Sequence, residues 1–139
     1  MRVRFRFEKL GKVRWTSHRD VARMWERAFR RIQLPLAYSQ GFSPRPKVSF
    51  GLALPTGAES LAEYLDVELA PGVVADLSAL PARLTAALPV GVDVTEAGPV
   101  EDGSASLQAE VTSCCWVVEV AGIVAVDLAE RVAAAKAAP

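Results

Sequence analysis

Three features of this sequence predict an α+β fold. Residues 2–8 (RVRFRFE) alternate Arg2, Arg4 and Arg6 with Val3, Phe5 and Phe7, the period of two that places arginines on one face of a strand and apolar side chains on the other. Between Ser17 and Pro35, the residues Val21, Met24, Trp25, Ala28, Phe29 and Ile32 recur at helical spacing. Two further strand-like segments, VSFGLAL and LAEYLDVELA, are separated by the turn sequence PTGAES. With a weaker helix over Asp76–Leu88 and a strand over Val90–Ala97, the order is β-α-β-β-α-β, which is the ferredoxin-like arrangement.

Each element has a local reason. Lys9–Arg14 contains Gly11 and reads as a turn. Ser17 is placed to cap the first helix, with Asp20 three positions on as an acidic variant of the capping box. Pro35 stops that helix. Residues 38–47 (YSQGFSPRPK) form a loop rich in Pro, Gly and Ser. In the next strand pair Leu65, Val67 and Leu69 point inward, and Tyr64, Asp66 and Glu68 point out. Pro81 weakens the second helix.

Residues 1–97 therefore form the predicted ferredoxin-like domain, and 98–106 (GPVEDGSAS) have linker composition. Residues 107–139 read as an additional strand, Leu107–Val120, and an alanine-rich helix, Val124–Ala137. This tail either adds to the first sheet or opens a second such unit in a truncated chain.

Composition narrows the class. Half of the 139 residues are hydrophobic, enough for a core without disulfides or metals. No apolar run reaches membrane-spanning length and the N-terminus lacks a signal-peptide core, so no membrane partner and a cytoplasmic location are expected. Cys114 and Cys115 are neighbours on a predicted strand and so face opposite ways. They are expected to be buried structural thiols rather than a disulfide or a metal pair. Neither a nucleotide-binding glycine motif nor a zinc or iron–sulfur cysteine spacing occurs, and no cofactor is expected.

The net charge of zero hides a segregation. Thirteen of sixteen Lys and Arg lie in residues 1–50, and thirteen of sixteen Asp and Glu lie after them. Such asymmetry points to a polyanionic partner. Arg19, Arg23, Arg27 and Arg31 recur every four residues along the first helix, with Arg30 beside them. Like charges at that spacing repel, and phosphate oxygens would compensate them. The competing reading pairs these arginines with the acidic half of the same chain. In the loop, Phe42 would stack on an unpaired base, or else plug the core, while Pro44 and Pro46 present Arg45 and Lys47. His18 at the helix start is a weak candidate for a general acid or base. The outward acids Glu59, Glu63, Asp66 and Glu68 are expected to be solvated, with no metal bound.

Residues 15–69 carry a recognisable pattern. It comprises Ser17, His18 and Asp20; Arg23, Arg27, Arg30 and Arg31; Leu34 and Pro35; Gly41, Phe42, Pro44, Pro46 and Lys47; Gly57 and Ser60; and Glu63, Tyr64 and Asp66. Over about residues 1–70 the chain resembles the radical-SAM-linked family, a domain of unknown function. The resemblance implies a protein fused to, or encoded beside, a radical S-adenosylmethionine (SAM) enzyme, with ribonuclease E/G and ribosomal proteins as neighbours. Lacking a cysteine triplet, this chain would be the accessory piece.

The expected function is therefore a non-catalytic module that binds RNA or a ribosomal substrate and presents it to a separate radical SAM enzyme. The RNA-contacting residues would be Arg19, Arg23, Arg27, Arg30, Arg31, Phe42, Arg45 and Lys47. The alternatives are a metal-independent endoribonuclease using His18, and a protein-docking module that binds no RNA.

Overall fold

Alternation governs the first strand, β1 (Arg2–Lys9), in which Val3, Phe5, Phe7 and Lys9 are buried and the arginines lie on the opposite face. The structure is a computed structural model that describes residues 1–138. After a 3₁₀ turn (Gly11–Trp15) come α1 (His18–Arg31), β2 (Val48–Phe50), β3 (Ser60–Glu68), α2 (Leu80–Ala87), β4 (Val92–Val100), α3 (Leu107–Glu110) and α4 (Ala125–Ala137). The strands form one open antiparallel sheet in the order β2-β3-β1-β4. The fold is mixed α/β, with this four-stranded sheet and four helices among the described residues.

β1 is central because its apolar face is the most completely buried. Phe5 lies opposite Leu65 of β3 and Ala97 of β4. α1 lays Val21, Trp25, Ala28 and Phe29 on this face, and α2 adds Leu80 and Leu84. Trp25 is the hub, with ring centroids 5.0 Å from Phe7, 5.4 Å from Phe29 and 6.1 Å from Phe5. Each fully buried large apolar side chain contributes about 1.5–3 kcal/mol to folding.

Helix ends follow local chemistry. The Ser17 hydroxyl accepts the Asp20 N–H at 3.2 Å and donates to the Asp20 carboxylate at 2.7 Å. α1 stops four residues before Pro35, because Gln33 takes a left-handed conformation (φ 56°). Gln33 N–H then bonds Arg30 C=O, and Leu34 N–H bonds Phe29 C=O, the paired closure of a Schellman motif. α2 is shorter than expected. Asp76 is held in a turn by the N–H and hydroxyl of Ser78. Pro81 falls in the first turn of α2, where its missing N–H costs nothing.

The other sheet face is covered by the chain after β4. β4 runs to Val100, three residues into the stretch read as a linker, and residues 101–110 then cross the sheet. Ser106 caps α3, Leu107 is 3% exposed, and the Gln108 side-chain amide donates to Phe50 C=O. Arg2 donates to the carbonyls of Ser104 and Ala105 at 3.2 and 3.3 Å.

The expected strand Leu107–Val120 is not formed. Its first four residues are α3, and residues 111–120 pair with no strand. Burial of Leu107 against the sheet draws the segment onto a face rather than an edge, and an isolated strand has no ladder to satisfy its backbone. α4 forms as expected but buries no residue. Cys114 and Cys115 are consequently exposed, contrary to their reading as buried thiols.

Candidate functional site

The arginines of β1 and those of α1 meet different fates. On β1, Arg4 binds Asp66 in a two-pronged pair, Nε to Oδ1 at 2.7 Å and NH2 to Oδ2 at 3.0 Å, and also pairs with Glu110. Its guanidinium is held charged more strongly than usual, chiefly by the hydrogen bond to Asp66. Arg2 approaches Asp66 at 3.8 Å and Arg6 pairs with Glu96 at 3.0 Å. Asp66, read from sequence as an outward residue, is 4% exposed beneath these cations. A shallow cleft of about 360 Å³ on this face is lined by Arg4, Arg6, Tyr64, Glu96 and Glu110, so both signs of charge are present. The acidic half neutralises the basic half here.

On α1 the neutralisation is largely missing. Arg19, Arg23, Arg27, Arg30 and Arg31 are all exposed on the face away from Trp25. Arg23 has one weak partner, Asp20 at 3.7 Å. Among the described residues no carboxylate lies within 4.0 Å of Arg19, Arg27 or Arg30. Arg31 stands somewhat apart, donating to Ala87 C=O at the end of α2 at 3.2 Å. Arg83 of α2 answers by donating to Ile32 C=O at the end of α1 at 2.8 Å. Each helix C-terminus thus gains a cation where its dipole is negative.

The proline-rich loop is a narrow hairpin. Leu36 bridges to Leu69 and Tyr38 to Pro46, while Ser39 and Arg45 are joined by N–H to C=O (2.9 Å) and N–H to hydroxyl (3.1 Å) bonds. Phe42 at its tip is fully exposed, so it does not plug the core. Arg45 is exposed with no carboxylate within 4.0 Å among the described residues. Lys47 is held by Glu68 at 2.8 Å, which removes it from the free cations.

A third group assembles where β1 ends, α1 begins and β3 starts. Lys9 is 2% exposed, and its ammonium donates to the carbonyls of Arg14 and Thr16 at 3.4 and 3.2 Å. Burial pushes its pKa down. Burial pushes the half-buried Glu63 carboxyl up, against the opposing pull of Ser60, Lys9 and His18. The exposed His18 ring packs edge-on against Phe50, with centroids 5.1 Å apart. No group of three or more His, Cys, Asp or Glu among the described residues is placed to hold a metal ion. No described helix is long and apolar enough to cross a membrane.

Sequence reasoning passed over Lys9 as a turn residue. Its signal was the alternation of β1, which continues from Val3, Phe5 and Phe7 onto Lys9. Glu63 was grouped with the outward acids although it lies two residues before Leu65, on the inward parity.

A family model described as "Uncharacterized protein conserved in bacteria (DUF2344)" matches residues 2–139. It spans nearly the whole chain, beyond the first 70 residues that carry the motif resemblance, and its description names neither RNA nor a radical enzyme. No curated protein and no solved structure matches the chain.

Proposed function

We propose, from the premise that this chain belongs to the DUF2344 family of proteins conserved in bacteria, that it is a non-catalytic module that binds RNA. We propose further that it presents this RNA, or a ribosomal substrate, to a separate radical SAM enzyme. The observation that carries RNA binding is the contrast between the two arginine sets. β1 arginines are neutralised by Asp66, Glu96 and Glu110, whereas Arg19, Arg27 and Arg30 are exposed without acidic partners among the described residues.

Helical arginines four apart repel by a few tenths of a kcal/mol per pair. A phosphate strand relieves that repulsion, and counterion release adds affinity. Phe42, fully exposed on a braced hairpin, offers a flat surface to an unpaired base, with Arg45 beside it for a phosphate. The radical SAM partner rests on the motif resemblance of residues 15–69 alone. The element order β-α-β-β-α-β with strand order β2-β3-β1-β4 supports the ferredoxin-like reading of the sheet.

Titration of labelled single-stranded and structured RNA at several salt concentrations tests the proposal. Replacing Arg23, Arg27 and Arg30 by Ala should weaken binding and flatten the log–log salt slope by about 2–3. Arg6→Ala, on the neutralised face, should leave both nearly unchanged. Absence of binding at low salt, or an unchanged slope in the triple variant, overturns the assignment and leaves protein docking as the role of α1.

A further inference from the structure

The sheet face that carries Arg2, Arg4 and Arg6 is crossed by residues 101–110, and a short run of contacts holds that segment down. Leu107 is 3% exposed and packs on Gly51, where a Cβ would lie 3.9 Å from the leucine Cδ2. The Gln108 amide donates to Phe50 C=O, Glu110 pairs with Arg4, and Arg2 donates to the carbonyls of Ser104 and Ala105. Ser106 starts the single turn of α3 by accepting the Ala109 N–H at 3.3 Å. Leu107 and Glu110, three residues apart, therefore meet the sheet from one side of that turn.

The segment does not fill the face it lies on. The cleft of about 360 Å³ remains beside it, bounded by β1, β4 and the segment itself, with Arg4, Arg6, Tyr64 and Glu110 in its lining. Gly98 also lines it, opposite Arg4 in register, and a Cβ there would meet nothing within 4 Å. Beyond Glu110 the chain adds no anchor, because residues 112–120 are exposed and α4 buries nothing. The contacts of the segment define what this face accepts, which is an apolar side chain and a carboxylate one helical turn later.

We infer that this face is a docking groove for a partner protein that presents a helical turn with an apolar residue and, three positions later, an acidic one. Residues 104–110 occupy the groove in cis. Arg4 reads the carboxylate, because a planar guanidinium pairs with it directionally, and the place of Leu107 takes the apolar side chain. A partner segment that also fills the cleft buries more surface than the cis segment and displaces it. α1 packs on the other face of the sheet, so the groove is separate from the arginine row and goes beyond RNA binding.

Fluorescence anisotropy of a labelled peptide with the sequence of residues 104–112 tests the groove. The full chain is used, unaltered and as Leu107→Ala, with folding checked by circular dichroism. The unaltered chain should bind the peptide weakly, because its own segment competes at an effective concentration of about millimolar. Leu107→Ala loosens the cis segment and should bind the peptide about tenfold or more tighter. Peptides with Lys in place of the glutamate, or Asp in place of the leucine, should lose that binding. A folded Leu107→Ala chain that does not bind overturns the inference, as does equal binding of either altered peptide. If Leu107→Ala does not fold, hydrogen exchange of the unaltered chain decides. Excess peptide should then speed exchange of the Ala109 and Glu110 amides, which are held by Ser106 C=O, and unchanged exchange overturns the inference. Neither result touches the arginine assignment, which fails instead if the triple arginine variant binds RNA as tightly as the unaltered chain.

Discussion

Arg4 and Asp66 face each other across β1 and β3 and lock through two parallel bonds of 2.7 and 3.0 Å. Asp66 is nearly buried and also draws Arg2 to 3.8 Å, so one carboxylate serves two cations. The same relationship explains why the basic N-terminal strand is not a free polyanion surface.

Removing Asp66 leaves two guanidinium groups on one sheet face with Glu110 as the remaining acid near Arg4. Asp66→Ala should destabilise the protein by about 2–3 kcal/mol, below the range for fully buried pairs because Arg4 keeps some solvent contact. Urea unfolding followed by circular dichroism measures this. RNA affinity of the folded variant should not fall, since α1 is unaffected.

Trp25 is fully buried, yet its indole N–H has no partner among the described residues. Trp25→Ala should cost about 3–5 kcal/mol through the cavity left among Phe5, Phe7 and Phe29. Trp25→Phe should cost clearly less, because it keeps most of the ring volume and removes an unsatisfied buried donor. Comparable losses in the two variants would show that the indole N–H is satisfied after all.

Glu63 sets a pH dependence of known sign. Its folded pKa is raised by burial, so the fold binds its proton more tightly than the unfolded chain does. Its contribution to stability is full below the ordinary carboxylate pKa of about 4.3 and is lost as pH rises through the folded value. Lys9, whose pKa is lowered by burial, acts in the opposite sense, because the unfolded chain binds its proton more tightly than the fold does. Glu63→Gln should therefore stabilise the protein at pH 7 relative to the unaltered chain, with the difference shrinking as pH falls toward 4. His18 pulls the Glu63 carboxyl in the opposite direction, so the comparison should be repeated in a His18→Ala background.

The tail should be thermodynamically silent. Residues 112–120 are exposed and α4 buries nothing, and a lone helix of this length is marginal. Ending the chain after Glu110 should leave the urea midpoint unchanged. Ending it before Ser104 should lower the midpoint, because Leu107 and the contacts of Arg2 and Arg4 are lost. Cys114 and Cys115 should react with a thiol reagent at the rate of free thiols in the native protein.

Much of this molecule was legible without coordinates. The alternation of Val3, Phe5 and Phe7, the stripe from Val21 to Ile32 and the Ser17 cap are local patterns, and local patterns report elements and their buried faces directly. The exposed arginines of α1 followed from the same periodicity. Assignment of a charge to a partner did not, because Arg4 and Asp66 are 62 residues apart and only strand register brings them together. The Val-rich segment 111–120 was misread for the same reason, since a strand exists only where another strand receives its hydrogen bonds. Composition and spacing thus determined the helices, the core strands and the charge segregation. Tertiary structure decided which charges cancel on the sheet, which remain open on α1, and that the buried Lys9 ammonium meets the carbonyls of Arg14 and Thr16, because those outcomes depend on how the folded chain brings groups together.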